Sequence, residues 1–345
     1  MLPELCLGLM LLGLAAYVVL GGADFGAGFW DLTAGGPERG ARVRGMVKRS
    51  MAPVWEANHV WLIFVLVVLW TAFPLAFGSV MSTLAVPLLL AALGIILRGA
   101  AFAVRGEAAT IAEARLLGAI FALSSVLVPF SLGAAVGGIA SGRVPVGNAA
   151  GDAVDSWVNP TSVLIGLLSV AAGAMLAAVF LAADSERARL PDLVRAFRLR
   201  ALGAGAAAGA LALGGLIVVR DDAPALYDGL TGGGGLAMVA LSAVCGLTTL
   251  ALVWRERFGL ARAAAAGAVA SIVAGWAFAQ SPDLLPGELT LEDAAAGDPT
   301  LVATLVGLGI GALVLVPSLV LLFRLTLQGK LDQEFRPLTA GDEER

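Results

Sequence analysis

The stretch Met51-Ala-Pro-Val-Trp-Glu-Ala-Asn-His-Val-Trp61 decides the fold, because it leads a carboxylate into a run that holds little for it to bond with. From Val60 to Leu75 every residue except Thr71 is apolar or small. This reads as the mouth of a buried or membrane-spanning helix, with Glu56, Asn58 and His59 on its first turns between Trp55 and Trp61. Ionisable groups at such depth are costly and usually face a partner, a cavity or an ion path.

The rest of the 345-residue chain fits that reading. Hydrophobic residues make up 59% and charged residues 14%, with a mean hydropathy of +0.90. A soluble chain carries roughly 25% charged residues, so the class is polytopic membrane protein in a lipid bilayer. A net charge of −4 points to no nucleic-acid partner and no strongly acidic substrate. Cys6 and Cys245 lie far apart in apolar runs, and no Cys-x-x-Cys occurs. Neither a zinc site nor covalent haem is encoded, and the single histidine, His59, cannot ligate a haem from both sides. No metal site is expected. The first twenty residues have the apolar run of a secretory signal, but no basic residue precedes it and polar motif residues continue inside the same helix. They are read as a retained helix.

A spanning helix needs about 20 apolar residues. Nine stretches qualify, roughly 5–30, 54–76, 79–103, 116–140, 160–183, 200–219, 235–254, 261–280 and 301–326. The fold class is therefore all-α, and residues 1–345 are read as a single transmembrane domain without a strong internal repeat. With the first connection placed in the cytoplasm, 19 Lys and Arg fall on that side, including Arg336 and Arg345. Only Arg143 and Arg220 fall on the other, and Arg98 lies within a helix. The positive-inside rule then puts the N-terminus outside and the C-terminus in the cytoplasm. Gly232-Gly-Gly-Gly235 reads as a flexible external connection, and Trp30, Trp157, Trp254 and Trp276 as an interfacial belt.

At 1.5 Å rise per residue, Asp24, Glu56, Asn58, His59 and Arg98 fall at one depth in the cytoplasmic half of three consecutive helices. They are expected to cluster, with Arg98 compensating Asp24 or Glu56. Gly21, Gly22, Gly26 and Gly28 around Asp24 would let neighbouring helices come close. Plainer readings stand beside this one. Asp24 and Arg98 can be a pair that fixes helix register, Glu56 a helix-start acid favoured by the dipole, His59 a headgroup contact and Trp61 a core or lipid-facing ring. An acid–base cluster open to the cytoplasm suits proton carriage.

Several motifs carry a family resemblance. Tyr17-Val-Val-Leu-Gly-Gly-Ala-Asp-Phe-Gly-Ala-Gly28 and Ala52-Pro-Val-Trp-Glu-Ala-Asn-His-Val-Trp-Leu62 resemble the first two helices of subunit II of cytochrome bd-type quinol oxidases. Ala72–Phe77, Leu97–Phe102, Asn159-Pro160 and Leu285–Ala294 match in order along the chain. The resemblance implies two four-helix bundles plus one extra helix, in the bacterial cytoplasmic membrane. It implies a partner, subunit I, that holds haem b, haem d and the quinol site, and in some complexes a small single-helix accessory subunit. The complex would oxidise quinol and reduce O2 to water with protons taken from the cytoplasm. This chain would bind no cofactor firmly, although some members hold a structural quinone. Asp24 and Glu56 match the family's proton-route acids, with Asn58 and Arg98 beside them, and Trp61 matches its oxygen-channel tryptophan. Many members have Asp-Gly at Gly21-Gly22 and Asp at Glu56. The competing readings are a proton-coupled transporter, which favours interrupted helices at matching positions of two halves, and a purely structural subunit. No matching pair of interruptions is visible in the sequence.

Overall fold

The computed structural model describes residues 1–51, 55–105, 108, 110–328 and 330. Ala52–Val54 of the opening stretch and the tail 331–345, with Arg336 and Arg345, lie outside the described residues. In chain order the helices are α1 (Leu2–Leu32), α2 (Pro37–Met51), α3 (Trp55–Ala72), α4 (Pro74–Thr83), α5 (Ala85–Val104), α6 (Ile111–Ala140), α7 (Pro160–Arg187), α8 (Pro191–Asp222), α9 (Pro224–Thr231), α10 (Gly233–Trp254) and α11 (Phe258–Gln280). A two-strand hairpin, β1 (Asp283–Leu285) and β2 (Leu289–Thr290), then leads through α12 (Leu291–Ala294) into α13 (Asp298–Leu327). Among the described residues nine of these helices are long and apolar enough to cross a membrane.

Helices α1, α3, α5 and α6 form one bundle, and α7, α8, α10 and α11 a second, with α13 resting on α1 and α3. The bundles meet where α1 and α6 pack against α7. Lipid is as apolar as leucine, so this contact relies on close approach of small side chains. A Cβ on Gly26 would come within 1.9 Å of the Gly173 carbonyl oxygen across this contact, and inside the first bundle one on Gly28 would come within 2.1 Å of Ser125 Oγ. Gly22, Gly26 and Gly28 thus do what their spacing suggested, whereas Gly21 makes room for Tyr17 of its own helix.

The nine expected spans are found, with boundaries that differ by up to nine residues, as where the sixth begins at Pro191 rather than near 200. The second span ends at Ala72, not near 76, because Pro74 disfavours the helical conformation at the residue before it. Phe73 takes φ −135° and ψ 60°, and α4 restarts in a new direction. The same device recurs in the second bundle, where Ala223 before Pro224 takes φ −141° and ψ 67° and short α9 follows. Each bundle therefore runs long helix, helix broken at X-Pro, short helix, then two further helices. This pair of matching interruptions was not expected from the sequence. Both lie at span ends, where Phe73 and Ala223 are buried against apolar neighbours. The expected loop Gly232–Gly235 is also corrected. Gly233–Gly235 form the first turn of α10, and Gly235 lies so close to the Gly229 carbonyl that a Cβ would come within 2.0 Å of it. Asn159 does open the fifth span as a cap, its Oδ1 accepting from the Ser162 N–H at 2.9 Å.

Candidate functional site

Asp24 lies on the α1 face that looks into the first bundle and is only 4% exposed. Asn58, 3% exposed on the first turns of α3, donates from Nδ2 to Asp24 Oδ2 at 2.6 Å and to the Leu20 carbonyl at 3.4 Å. Arg98, 1% exposed on α5, completes the centre. Its guanidinium donates to the backbone carbonyl of Asp24 at 3.1 Å and to Ser125 Oγ at 3.1 Å, and lies over the rings of Phe25 and Phe121 at 4.7 and 5.2 Å. Ser125 in turn donates to the Phe121 carbonyl at 2.6 Å.

The expected pairing of Arg98 with an acid takes a different form. Among the described residues no ion pair joins Arg98 to Asp24 or Glu56. The arginine is held by a carbonyl, a hydroxyl and two ring faces rather than by a carboxylate. Its field reaches the Asp24 carboxyl, but the carboxyl's direct donor is a neutral amide. Asp24 can therefore gain or lose a proton without breaking an ion pair.

The expected cluster of five is a cluster of three with one neighbour. His59 turns its ring toward Tyr17, Phe25 and Trp55, with centroids at 6.2, 5.9 and 6.4 Å, and its Nδ1 meets the Trp55 carbonyl at 2.9 Å. Glu56 stands apart, exposed on α3. Successive helical residues turn by about 100°, so Glu56 and Asn58, two apart, look to nearly opposite sides. Trp61 borders a groove of about 590 Å³ between α3 and the end of α13, walled by Val316, Leu319, Val320 and Phe323 with Arg324 and Gln328 at its end.

Sequence reasoning missed Asp31, two turns beyond Asp24 on α1. Its carboxylate takes Arg44 Nε at 2.9 Å and also Arg105, which ties amphipathic α2 and the end of α5 to the bundle. The signal was an acid seven residues after Asp24 in a chain short of acids, but its partners lie 13 and 74 residues away. At the opposite end of the molecule Asp222 accepts both arms of Arg143, at 2.7 and 3.2 Å, and the N–H and hydroxyl of Thr161 at 3.1 and 2.6 Å. Among the described residues no group of three His, Cys, Asp or Glu is placed to hold a metal ion. The lone imidazole is walled by three aromatic rings, and these residues do not fit a haem.

Fold and site together define a polytopic all-α membrane protein of two bundles, with one under-compensated buried acid in the first. The family described as "Cytochrome bd terminal oxidase subunit II" matches residues 2–326, and the chain belongs to that family. It is 29% identical over 117 residues to "Cytochrome bd ubiquinol oxidase subunit 2" of Bacillus subtilis (strain 168), a match spanning 34% of each protein. It also superposes on a chain from "The structure of bd oxidase from Geobacillus thermodenitrificans" with a TM-score of 0.76 and 29% identity. That superposition covers 94% of this chain and 98% of the other.

Proposed function

We propose that the chain acts as subunit II of a bd-type terminal oxidase in the bacterial cytoplasmic membrane, as one unit with a haem-bearing subunit I. In that complex quinol is oxidised and O2 is reduced to water. Haem b, haem d and the quinol site belong to the partner, and a single-helix accessory subunit and a structural quinone are further elements of this reading. This chain supplies protons. The end that carries α2 faces the cytoplasm, in keeping with its Arg and Lys residues, so the N-terminus is outside and the C-terminus inside.

The observation that carries the reading is the Asp24 carboxyl, 4% exposed and held by the Asn58 amide at 2.6 Å while Arg98 bonds to the backbone beside it. A buried acid left without a cationic partner is a poor clasp but a suitable proton carrier. Glu56, exposed at the cytoplasmic mouth of α3, collects protons; Asn58 orients the Asp24 carboxyl; Arg98 sets the local field. Trp61, on the apolar groove beside α13, borders an oxygen route.

The test is oxygen consumption by the purified complex with quinol as donor. Asp24→Asn keeps the shape and the Asn58 contact but cannot carry a proton. Turnover is expected to fall about tenfold or more, equal to about 1.4 kcal/mol of barrier, with haem content unchanged. Glu56→Gln is expected to act in the same direction, and Glu56→Asp to be milder. Parental turnover in Asp24→Asn would mean that the chain is a scaffold and that protons travel through the partner.

A further inference from the structure

Three buried polar atoms beside Asp24 have no protein partner: Tyr17 Oη, Asn58 Oδ1 and His59 Nε2. Buried polar atoms are rarely left unsatisfied, and when several converge a bound water commonly serves them. Here the hydrogen-bonding role of each can be assigned. Asn58 Nδ2 faces two acceptors, Asp24 Oδ2 and the Leu20 carbonyl, so the amide orientation is fixed and Oδ1 is the free acceptor. His59 Nδ1 faces the Trp55 carbonyl, which can only accept, so Nδ1 carries the hydrogen and the neutral ring presents a lone pair at Nε2. Tyr17 Oη has a proton to give. Two acceptors and one donor match one water molecule, which gives two hydrogens and accepts one.

The packing brings these atoms together. Tyr17 is 5% exposed, and its ring lies along Gly21, where a Cβ would meet it at 2.9 Å. The glycine lets the phenol lie along α1 toward Asp24, seven residues and two turns on. The Tyr17 and His59 rings sit edge to face at 6.2 Å, and Tyr17 lies within the fields of both Asp24 and Arg98. His59 also follows Glu56 by three residues on α3, a spacing that makes helical neighbours. The imidazole therefore stands between the exposed acid and the buried one.

We propose that Tyr17, Asn58 and His59 enclose an ordered internal water that links Glu56, through His59, to Asp24. The inference rests on the proton-carrying reading of Asp24 and supplies the station between the two acids. In one transfer a proton from the Glu56 side enters the water as another leaves it for His59 Nε2; in the next the imidazolium returns its proton to the water, which passes one to Asp24, so that neither transfer leaves charge on the water and Tyr17 keeps its own proton. Asn58 takes no proton; it turns the site toward the carboxyl. Tyr17 and Asn58 are positioning residues, and His59 holds the proton in passing.

The test is a high-resolution cryo-electron microscopy map of the assembled oxidase, with turnover measured in H2O and D2O for the parent and for Tyr17→Phe. The parent should show one ordered density within hydrogen-bonding distance of all three atoms. Tyr17→Phe, which removes a single oxygen, should lose that density, slow turnover about threefold or more and raise the H2O/D2O rate ratio at unchanged haem content. His59→Gln, which keeps a polar end, should retain more activity than His59→Phe. A map without the density, or a Tyr17→Phe complex with the parental rate and isotope ratio, overturns the proposal. If Asp24→Asn still slows turnover in that case, the proton role of Asp24 stands and only the water station fails; if Asp24→Asn is also silent, the broader reading fails with it.

Discussion

The two bundles share one plan and differ in what they bury. Each has a helix that breaks at X-Pro with nearly the same dihedral angles, at Phe73 and at Ala223, followed by a short helix. The first bundle encloses Asp24, Asn58 and Arg98. Among the described residues the buried polar side chains within the helices of the second are all hydroxyls: Thr161, Ser162, Ser185, Thr249 and Ser271. The second bundle packs on alanines and glycines and needs no buried charge, so the architecture does not demand one. The acids at the two ends of the molecule sharpen the point. Asp31 and Asp222 have their carboxylates filled by arginines, whereas the Asp24 carboxyl takes an amide and feels Arg98 without an ion pair.

The largest effect is expected from Arg98→Ala. It removes the donors to the Asp24 carbonyl and Ser125 and leaves a large gap beneath Phe25 and Phe121, at a cost of about 3–5 kcal/mol. Little assembled, haem-replete complex should be recovered; a normal yield would mean that the centre is as dispensable as the hydroxyls of the second bundle. Asp222→Ala should cost about 2 kcal/mol by stranding the partly buried Arg143. The complex should melt several degrees lower and keep its turnover per haem, and a loss of turnover would break the distinction between clasp and carrier. Thr249→Val should change stability by less than about 1 kcal/mol, because the hydroxyl bonds only to the Cys245 carbonyl one turn back on its own helix.

The smallest effect concerns Asp152, a surface acid in the loop before α7 that is also held by neutral donors. The backbone N–H groups of Asp155 and Val154, at 2.8 and 2.7 Å, hold its carboxyl below the ordinary 3.8. A lowered value means that the contact stabilises the turn at pH above about 3.8 and is lost as pH falls through the lower folded value. Hydrogen exchange at those two amides should be slowed at neutral pH and lose that protection on acidification. Unchanged protection in acid would show that the turn does not depend on the carboxylate.

The spans were legible because twenty apolar residues in a row have few alternatives, and the depth of Asp24, Asn58 and Arg98 followed from counting along them. Rotation about a helix axis was not. Helix α3 is apolar on all sides, so no stripe showed that Asn58 turns inward while Glu56 turns out. Arg98 was expected to seek a carboxylate, yet ring faces and a carbonyl serve a guanidinium equally well once a bundle closes around it. The Asp31 clasp depends on Arg105, 74 residues away, and no local pattern announces that contact. The breaks at Phe73 and Ala223 were written in their prolines; what the sequence did not show is that they occupy equivalent places in two bundles.

The most direct test of the difference between Asp24 and the clasped acids is infrared difference spectroscopy of the assembled complex between its reduced and oxidised states. A carboxyl that gains or loses a proton during turnover gives a carbonyl band in that spectrum. One such band should disappear in Asp24→Asn and persist in Asp31→Asn. A spectrum unaltered by Asp24→Asn, or one whose band vanishes with Asp31 instead, would contradict the proton-carrying role of Asp24.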